Sequence, residues 1–235
     1  MMIRHILFDL DNTLYSPRSG LMAELDRRIS EYFARHLHLQ VPQAERLQAE
    51  YCWEYGSCTN GVLKNARLDL DRFLREVHEI DVRRHLSADP SLVKVLTRLP
   101  LQKWVFTNAP LEYARRVLDA LGITRHFRGV FDIRFLDFVG KPDPQAYHRV
   151  LAALRARADE CVMVEDTPRN LLPAGALGMT TVLISHHASL PPAGVDAVLP
   201  DLAGLPAAWR TCVGSAACSG AGEFHRQRDE QRRGG

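Results

Sequence analysis

Residues 3–15 read IRHILFDLDNTLY, and the rest of the chain is best read outward from them. Ile3 to Leu10 closes in a dense apolar run with β-branched and aromatic members. Such a run, bounded by turn residues, predicts a buried strand. Asp11-Asn12-Thr13 follows, then Ser16-Pro17 and Ser19-Gly20. These residues favour turns because they bond their own backbone, fix φ or tolerate positive φ. The strand therefore ends on one carboxylate, Asp9, and a second, Asp11, stands two residues further on.

From Leu21 the period changes. Leu21, Leu25, Ile29, Phe33 and Leu37 recur at every fourth position among Arg27, Arg28, Glu31 and Arg35, which predicts an amphipathic helix. A helix-like stretch from Pro42 is interrupted at Gly56. Leu68 to Ile80 reads helical again, with Leu70, Phe73, Leu74 and Val77 on one face. Asp69 and Asp71 repeat the D-x-D spelling there, but inside a helical stretch they read as a solvated face. Strand-like alternation is scarce between Gly20 and His85, so this region is expected to be an all-helical module.

Beyond Asp89-Pro90 helices and strands alternate. Ser91 to Leu99, Pro110 to Leu121, Pro144 to Ala156 and Asn170 to Leu177 read as helices. Trp104 to Phe106, Val130 to Phe135, Cys161 to Val164, Thr181 to Ile184 and Ala197 to Leu199 read as strands. That alternation implies an α/β fold with a parallel sheet covered on both faces. The helical module is then an insertion after the first strand.

Composition agrees. Of 235 residues, 46% are hydrophobic and 25% charged, which excludes a disordered, collagen-like or coiled-coil chain. A net charge of +2 is too balanced to point to a nucleic acid or a membrane surface as partner. No apolar run approaches a membrane span, and the N-terminus, with Arg4, His5 and Asp9, does not read as a signal peptide. The five cysteines (52, 58, 161, 212 and 218) include no C-x-x-C and give no disulfide framework or zinc spacing. Reduced thiols in a cytoplasmic protein are the expectation, with Cys52 and Cys58 packed in the module. From Gly214 the composition turns to Gly, Ser, Ala and then mixed charge. Residues 204–235 are expected to form a disordered tail rather than a binding arm.

In open α/β sheets ligands bind beyond the carboxyl ends of the strands. Those ends deliver Asp9 and Asp11, Thr107 and Asn108, and Glu165 and Asp166, while Lys141 comes from the loop Gly140-Lys141-Pro142. Acids gathered at one edge repel one another unless a cation neutralises them, and oxygen donors suit Mg²⁺. A strand-tip carboxylate can attack phosphorus, and a second acid can protonate the leaving oxygen and then activate water. Lys141 would balance charge on the transferring group, and Thr107 and Asn108 could donate to its oxygens. Each element also has a plain structural alternative: Asp9 and Asp11 as turn or helix caps, Asn108 as an N-cap, Lys141 as a surface lysine. Their order along the chain favours the functional reading.

That order resembles the haloacid dehalogenase superfamily of phosphatases. FDLDNTLY is similar to its D-x-D-x-T motif, VFTNA to its second motif with Thr107, GKPDP to its third with Lys141, and EDTPRN to its acidic fourth. The resemblance covers roughly residues 1–200. It implies a Rossmann-like catalytic core (1–16 and 87–203), a helical cap (17–86) inserted after motif one, and Mg²⁺-dependent phosphoryl transfer through an aspartyl-phosphate. It makes Asp9 nucleophile and metal ligand, Asp11 acid/base with its backbone carbonyl on the metal, and Asp166 a metal ligand. Glu165 becomes a ligand or supporting acid, and Asn170 a supporting residue where relatives often carry an acid. Dehalogenase members lack the second aspartate because no leaving alcohol needs a proton, so Asp11 favours phosphate chemistry.

DLDNTLY with TNA, and Glu54-Tyr55-Gly56 in the cap, resemble the pyrimidine 5′-nucleotidase subgroup. A small-molecule phosphomonoester is the expected substrate, a pyrimidine nucleoside monophosphate first and phosphoglycolate or a sugar phosphate second. A phosphomutase, or a non-catalytic interaction protein on the same fold, is the rival. Tyr15 is expected either to face the cap pocket or to pack against the insertion. Tyr51, Trp53 and Tyr55 read as helix core or as a base-stacking surface. His186-His187 read as loop residues.

Overall fold

The computed structural model describes residues 2–65, 68–188 and 190–209. A six-stranded sheet runs through its centre in the order β3-β2-β1-β4-β5-β6, every pair parallel. The strands are β1 (His5–Phe8), β2 (Gln102–Phe106), β3 (Gly129–Phe131), β4 (Cys161–Glu165), β5 (Thr180–Ile184) and β6 (Ala197–Leu199). With β1 flanked by β2 and β4, the strand order reverses beside it, and such a switch opens a crevice at the carboxyl ends. Register fixes what meets there. Phe8 pairs with Val105 and Val164, so Asp9 and Glu165 are the next residues on adjacent strands.

The strands obey the period of two. Ile6, Phe8, Val105, Val162 and Val164 join one apolar cluster, while Leu7, Phe106 and Met163 join the other. Helices α5 (Pro90–Arg98) and α6 (Leu111–Leu121) bury Leu92, Leu96, Tyr113 and Val117 in the first cluster; α7 (Pro144–Leu154) and α8 (Pro168–Leu177) bury Tyr147, Val150 and Leu171 in the second. Both faces are covered, as a parallel sheet requires. Local chemistry starts the helices where the sequence signals it. Asp89 accepts from Ser91 and Leu92 N–H groups ahead of Pro90, and Asp143 from Gln145 ahead of Pro144.

Four helices lie between Gly20 and Val77: α1 (Leu21–Leu37), α2 (Val41–Tyr55), α3 (Cys58–Asn65) and α4 (Leu70–Val77). No strand occurs there among the described residues. Leu25, Ile29, Phe33, Phe73 and Leu74 pack into a core continuous with the first cluster. Asp69 and Asp71 are both solvent-exposed; Asp69 is the N-cap of α4 and Asp71 pairs with Arg134.

Three further elements differ from expectation. The Val130–Phe135 strand shrinks to Gly129–Phe131, because the Asp132 carboxylate accepts from the backbones of Leu111 and Phe135 and turns the chain. Residues 202–209 pack on the core, with Leu202 and Leu205 buried, so the tail does not begin at 204; residues 210–235 lie outside the described residues. Trp53 is 85% exposed, which takes it out of the helix core, whereas Tyr51 is buried edge-on to Phe33.

Candidate active site

Asp9 leaves β1 with its backbone still in the sheet, its N–H donating to Val164 O. Its carboxylate is buried, receiving Lys141 Nζ at 2.7 Å on Oδ1 and the Thr13 hydroxyl at 3.2 Å on Oδ2. Lys141 is itself only 1% exposed, reaches Glu165 Oε1 at 3.7 Å, and lies over the Phe106 ring. Burial alone would push an ammonium down, but the carboxylates of Asp9 and Glu165 more than offset it and hold Lys141 above its ordinary value.

The lysine is aimed by its backbone. Asn108 accepts from Lys141 N–H at 2.8 Å and donates to Lys141 C=O at 2.8 Å. The carboxamide oxygen and one of its two N–H donors thus position the lysine. Gly140 is required for this clamp, since a Cβ there would fall 2.5 Å from Asn108 Oδ1. Thr107, buried beside it, accepts from Ala109 N–H.

Three acids converge. One carboxylate oxygen each of Asp9, Glu165 and Asp166 lie within 4.8 Å of one another. Asn170 donates to Glu165 Oε1, and the Asp166 N–H to Glu165 Oε2. Burial first, and the charge of Asp9 second, raise Glu165 well above the carboxylate range and Asp166 to about 7. One lysine does not neutralise this group. An all-oxygen donor set held together against its own repulsion fits a hard cation.

Asp11 faces elsewhere. Tyr15 donates to its Oδ1 at 2.5 Å and Tyr113, from α6, at 3.0 Å. Burial, then the charge of Asp9, raises it to about 6 against the lowering effect of the two phenols. No sequence signal singles out Tyr113. It reads there as one more apolar position of α6, and no local spacing couples it to Asp11.

The cap closes one side. Gly56, at φ 80°, lies so close to Pro142 that a Cβ would meet its ring at 2.5 Å. Asn60 donates to Lys141 O at 3.3 Å, and Arg169 donates to Trp53 O and Glu54 O. Tyr55 and Asn60 line a cavity of about 320 Å³ beside Pro142, whereas Tyr15 lines a different cleft of about 500 Å³ with Asn12, Asp166, His186 and His187. The expected specificity residues are therefore split between two spaces, and the histidine pair borders the second. No described helix is long and apolar enough to cross a membrane.

A parallel sheet whose central strand presents a buried, lysine-paired carboxylate, with further acids on the next strand, defines an α/β protein with a candidate active site at the carboxyl edge of its sheet. The chain belongs to the haloacid dehalogenase-like hydrolases: the model of that family matches residues 3–178. Among curated proteins it is 27% identical to phosphate metabolism protein 8 of Saccharomyces cerevisiae, over 75% of this chain and 60% of the yeast protein, so it spans less than two thirds of that relative. It is 28% identical to a phosphoglycolate phosphatase of Rhodospirillum rubrum, over 87% of this chain and 90% of the relative. It is 24% identical to a 5′-nucleotidase of Pseudomonas aeruginosa, over 77% and 82%. Among solved structures, a HAD phosphatase from Thermococcus onnurineus shares the fold with a TM-score of 0.62 and 22% identity, covering 90% of this chain and 98% of that one. An L-2-haloacid dehalogenase from Xanthobacter autotrophicus shares it at 0.57 and 16%, over 89% and 99%.

Proposed function

We propose that this hydrolase is a phosphomonoesterase in which Asp9 attacks phosphorus and carries the phosphoryl group as an aspartyl-phosphate, with Mg²⁺ as the cation its acids hold. The observation that carries the reading is the pairing of two unlike carboxylates at one strand tip. Asp9 is paired with Lys141 at 2.7 Å, and Asp11, two residues on, is half-buried against two phenols with its proton affinity raised to about 6. A displaced halide needs no proton, whereas a displaced alkoxide does, so an acid in the place of Asp11 suits ester cleavage.

Asp9, Glu165 and Asp166 would hold the cation, together with the Asp11 backbone carbonyl. When bound, Mg²⁺ neutralises these acids and polarises phosphoryl oxygens. Lys141, fixed by Asn108, balances charge on the transferring group. Thr107, whose oxygen already accepts from Ala109, has its hydroxyl proton to give to a phosphoryl oxygen. Asp11 gives its proton to the departing oxygen and takes one back from the water that releases phosphate. Its value of about 6 suits both directions near neutral pH.

We infer a nucleoside 5′-monophosphate, pyrimidine first, as the substrate, in a cytoplasmic setting. The 5′-nucleotidase relative supports it, and the cleft of about 500 Å³ beside Asp166 falls within the size of small-molecule pockets. Phosphoglycolate is the second reading, favoured by the Rhodospirillum relative, which aligns over more of the chain. Phosphate release from nucleotides, phosphoglycolate and sugar phosphates, with and without Mg²⁺, tests the reading. Mg²⁺-dependent release that is abolished in Asp9→Asn is expected. Full activity in that variant would overturn the mechanism, and preference for phosphoglycolate would overturn the substrate.

A further inference from the structure

Cys52 and Cys58 stand on either side of the stretch of cap that touches the catalytic core. Cys52 sits in the last turn of α2 and Cys58 opens α3. Between them, Trp53 O and Glu54 O accept from Arg169, Tyr55 O accepts from Asn60, and Gly56 abuts Pro142, next to Lys141. The two sulfurs are 3.1 Å apart, one thiol donating to the other. Cys52 is exposed and Cys58 buried.

We propose that Cys52 and Cys58 form a reversible dithiol–disulfide couple that ties off the loop by which the cap docks on the core. A disulfide brings sulfurs to about 2.05 Å, so the pair needs to close by only ~1 Å. The two thiols are unequal in the way exchange chemistry uses. The hydrogen bond from Cys58 lowers the Cys52 thiol below its ordinary value, and the same bond together with burial raises Cys58. The exposed thiol is the attacking one. With a low-molecular-weight disulfide as oxidant, the Cys52 thiolate attacks one sulfur and expels the first small thiol. Cys58 then loses its proton, attacks the Cys52 sulfur of the mixed disulfide and expels the second. The chain loses two protons and two electrons, and the added disulfide takes them up to become two thiols. Oxidation would thereby fix residues 53–57, the part of the cap in contact with Arg169 and Pro142.

The test uses the full chain and glutathione disulfide. Trypsin cuts after Arg46 and Lys64, and the peptide 47–64 carries both cysteines and no other Lys or Arg. The expected result is a 47–64 peptide lighter by two hydrogens, restored by dithiothreitol and absent from Cys52→Ser and Cys58→Ser. Amide exchange over 53–57 is expected to slow several-fold in the oxidised protein. A peptide that keeps both thiols, a lasting glutathione adduct on Cys52, or a disulfide that leaves exchange over 53–57 unchanged would overturn the proposal. None of these readouts depends on phosphatase activity.

Discussion

Asp9 and Asp11 are two residues apart and close enough for the charge of one to raise the other, yet their side chains meet different partners. Asp9 looks toward Lys141, Glu165 and Phe106, in a pocket assembled from strand tips and dense in charge. Asp11 looks toward Tyr15 and Tyr113, which belong to the opposite apolar cluster, the one continuous with the cap. The first region is over-supplied with negative charge. The second is apolar and offers only neutral donors. A sheet edge is a good device for this contrast, because a turn after the last paired residue sends successive acids to opposite sides. One acid can then serve as a charged nucleophile while its neighbour holds a proton.

The largest expected effect tests the first region. Asp9→Asn removes the proposed nucleophile, and turnover is expected to fall by about 10⁴-fold or more, as for other covalent catalysts stripped of their nucleophile. Steady-state phosphate release on the best ester checks it, with circular dichroism confirming the fold. Asp11→Asn tests the second region and is expected to cost roughly 10²- to 10⁴-fold in turnover. That loss should shrink sharply for p-nitrophenyl phosphate, whose leaving group departs without a proton. An equal loss on both esters would show that Asp11 does not act as the acid.

A subtler contrast is the sign of the pH response. Asp166 is raised from its ordinary 3.8 to about 7 by burial and then by Asp9. In the metal-free protein its folded environment therefore favours the neutral acid. The stability this confers is whole below 3.8 and is lost as pH rises through 7. His78, buried where α4 meets Tyr113, moves the other way, its imidazole lowered from 6.5 to about 4 mainly by burial. Its contribution is whole above 6.5 and is lost as pH falls toward 4, amounting to about 3 kcal/mol by the two-state linkage. The two trends run in opposite directions over the same pH range, so urea denaturation of the wild type should vary little from pH 5 to 8.5. Mg²⁺ should remove the Asp166 trend and uncover a rise in stability up to pH 6.5, and His78→Leu should uncover the fall toward pH 7. A fall in His78→Leu that is indifferent to Mg²⁺ would detach the acids from cation binding.

What the sequence made legible follows the same division. The residues of the charged region each end a strand or occupy a short loop, and strands announce themselves as apolar runs. Asp9, Glu165 and Asp166 could therefore be placed at one edge before any coordinates. Lys141 needed the order of motifs as well, because a loop lysine has no periodicity. Tyr113 was hidden because a tyrosine in register with Ala114, Val117 and Leu118 looks like core, and its hydroxyl meets Asp11 across 102 positions of chain. The cap was legible as helices but not as a docking surface. Much of its contact with the core runs through the carbonyls of Trp53 and Glu54 and the bare Cα of Gly56, and main-chain partners leave no side-chain signature. The Val130–Phe135 strand failed for a related reason: Asp132 spends both carboxylate oxygens on backbone N–H groups and ends the pairing early.

The smallest expected effect asks whether those main-chain contacts matter. Arg169 stands at the start of α8, only three positions beyond Asp166, and its guanidinium reaches over to Trp53 O and Glu54 O. It is exposed and its guanidinium is held by those carbonyls, so Arg169→Ala should leave Asp9 and Asp11 in place. Each lost hydrogen bond is worth about 0.5–1.5 kcal/mol net, and other contacts between cap and core persist through Asn60, Arg134 and the seat of Gly56 on Pro142. A rise in KM of a few-fold with kcat nearly unchanged is therefore expected, because the variant weakens closure over the substrate without altering the reacting groups. Measuring both constants on the best ester separates the regions. A kcat loss comparable to that of Asp11→Asn would mean that the cap contributes to the chemistry itself, and the division between a reacting edge and a docking cap would have to be redrawn.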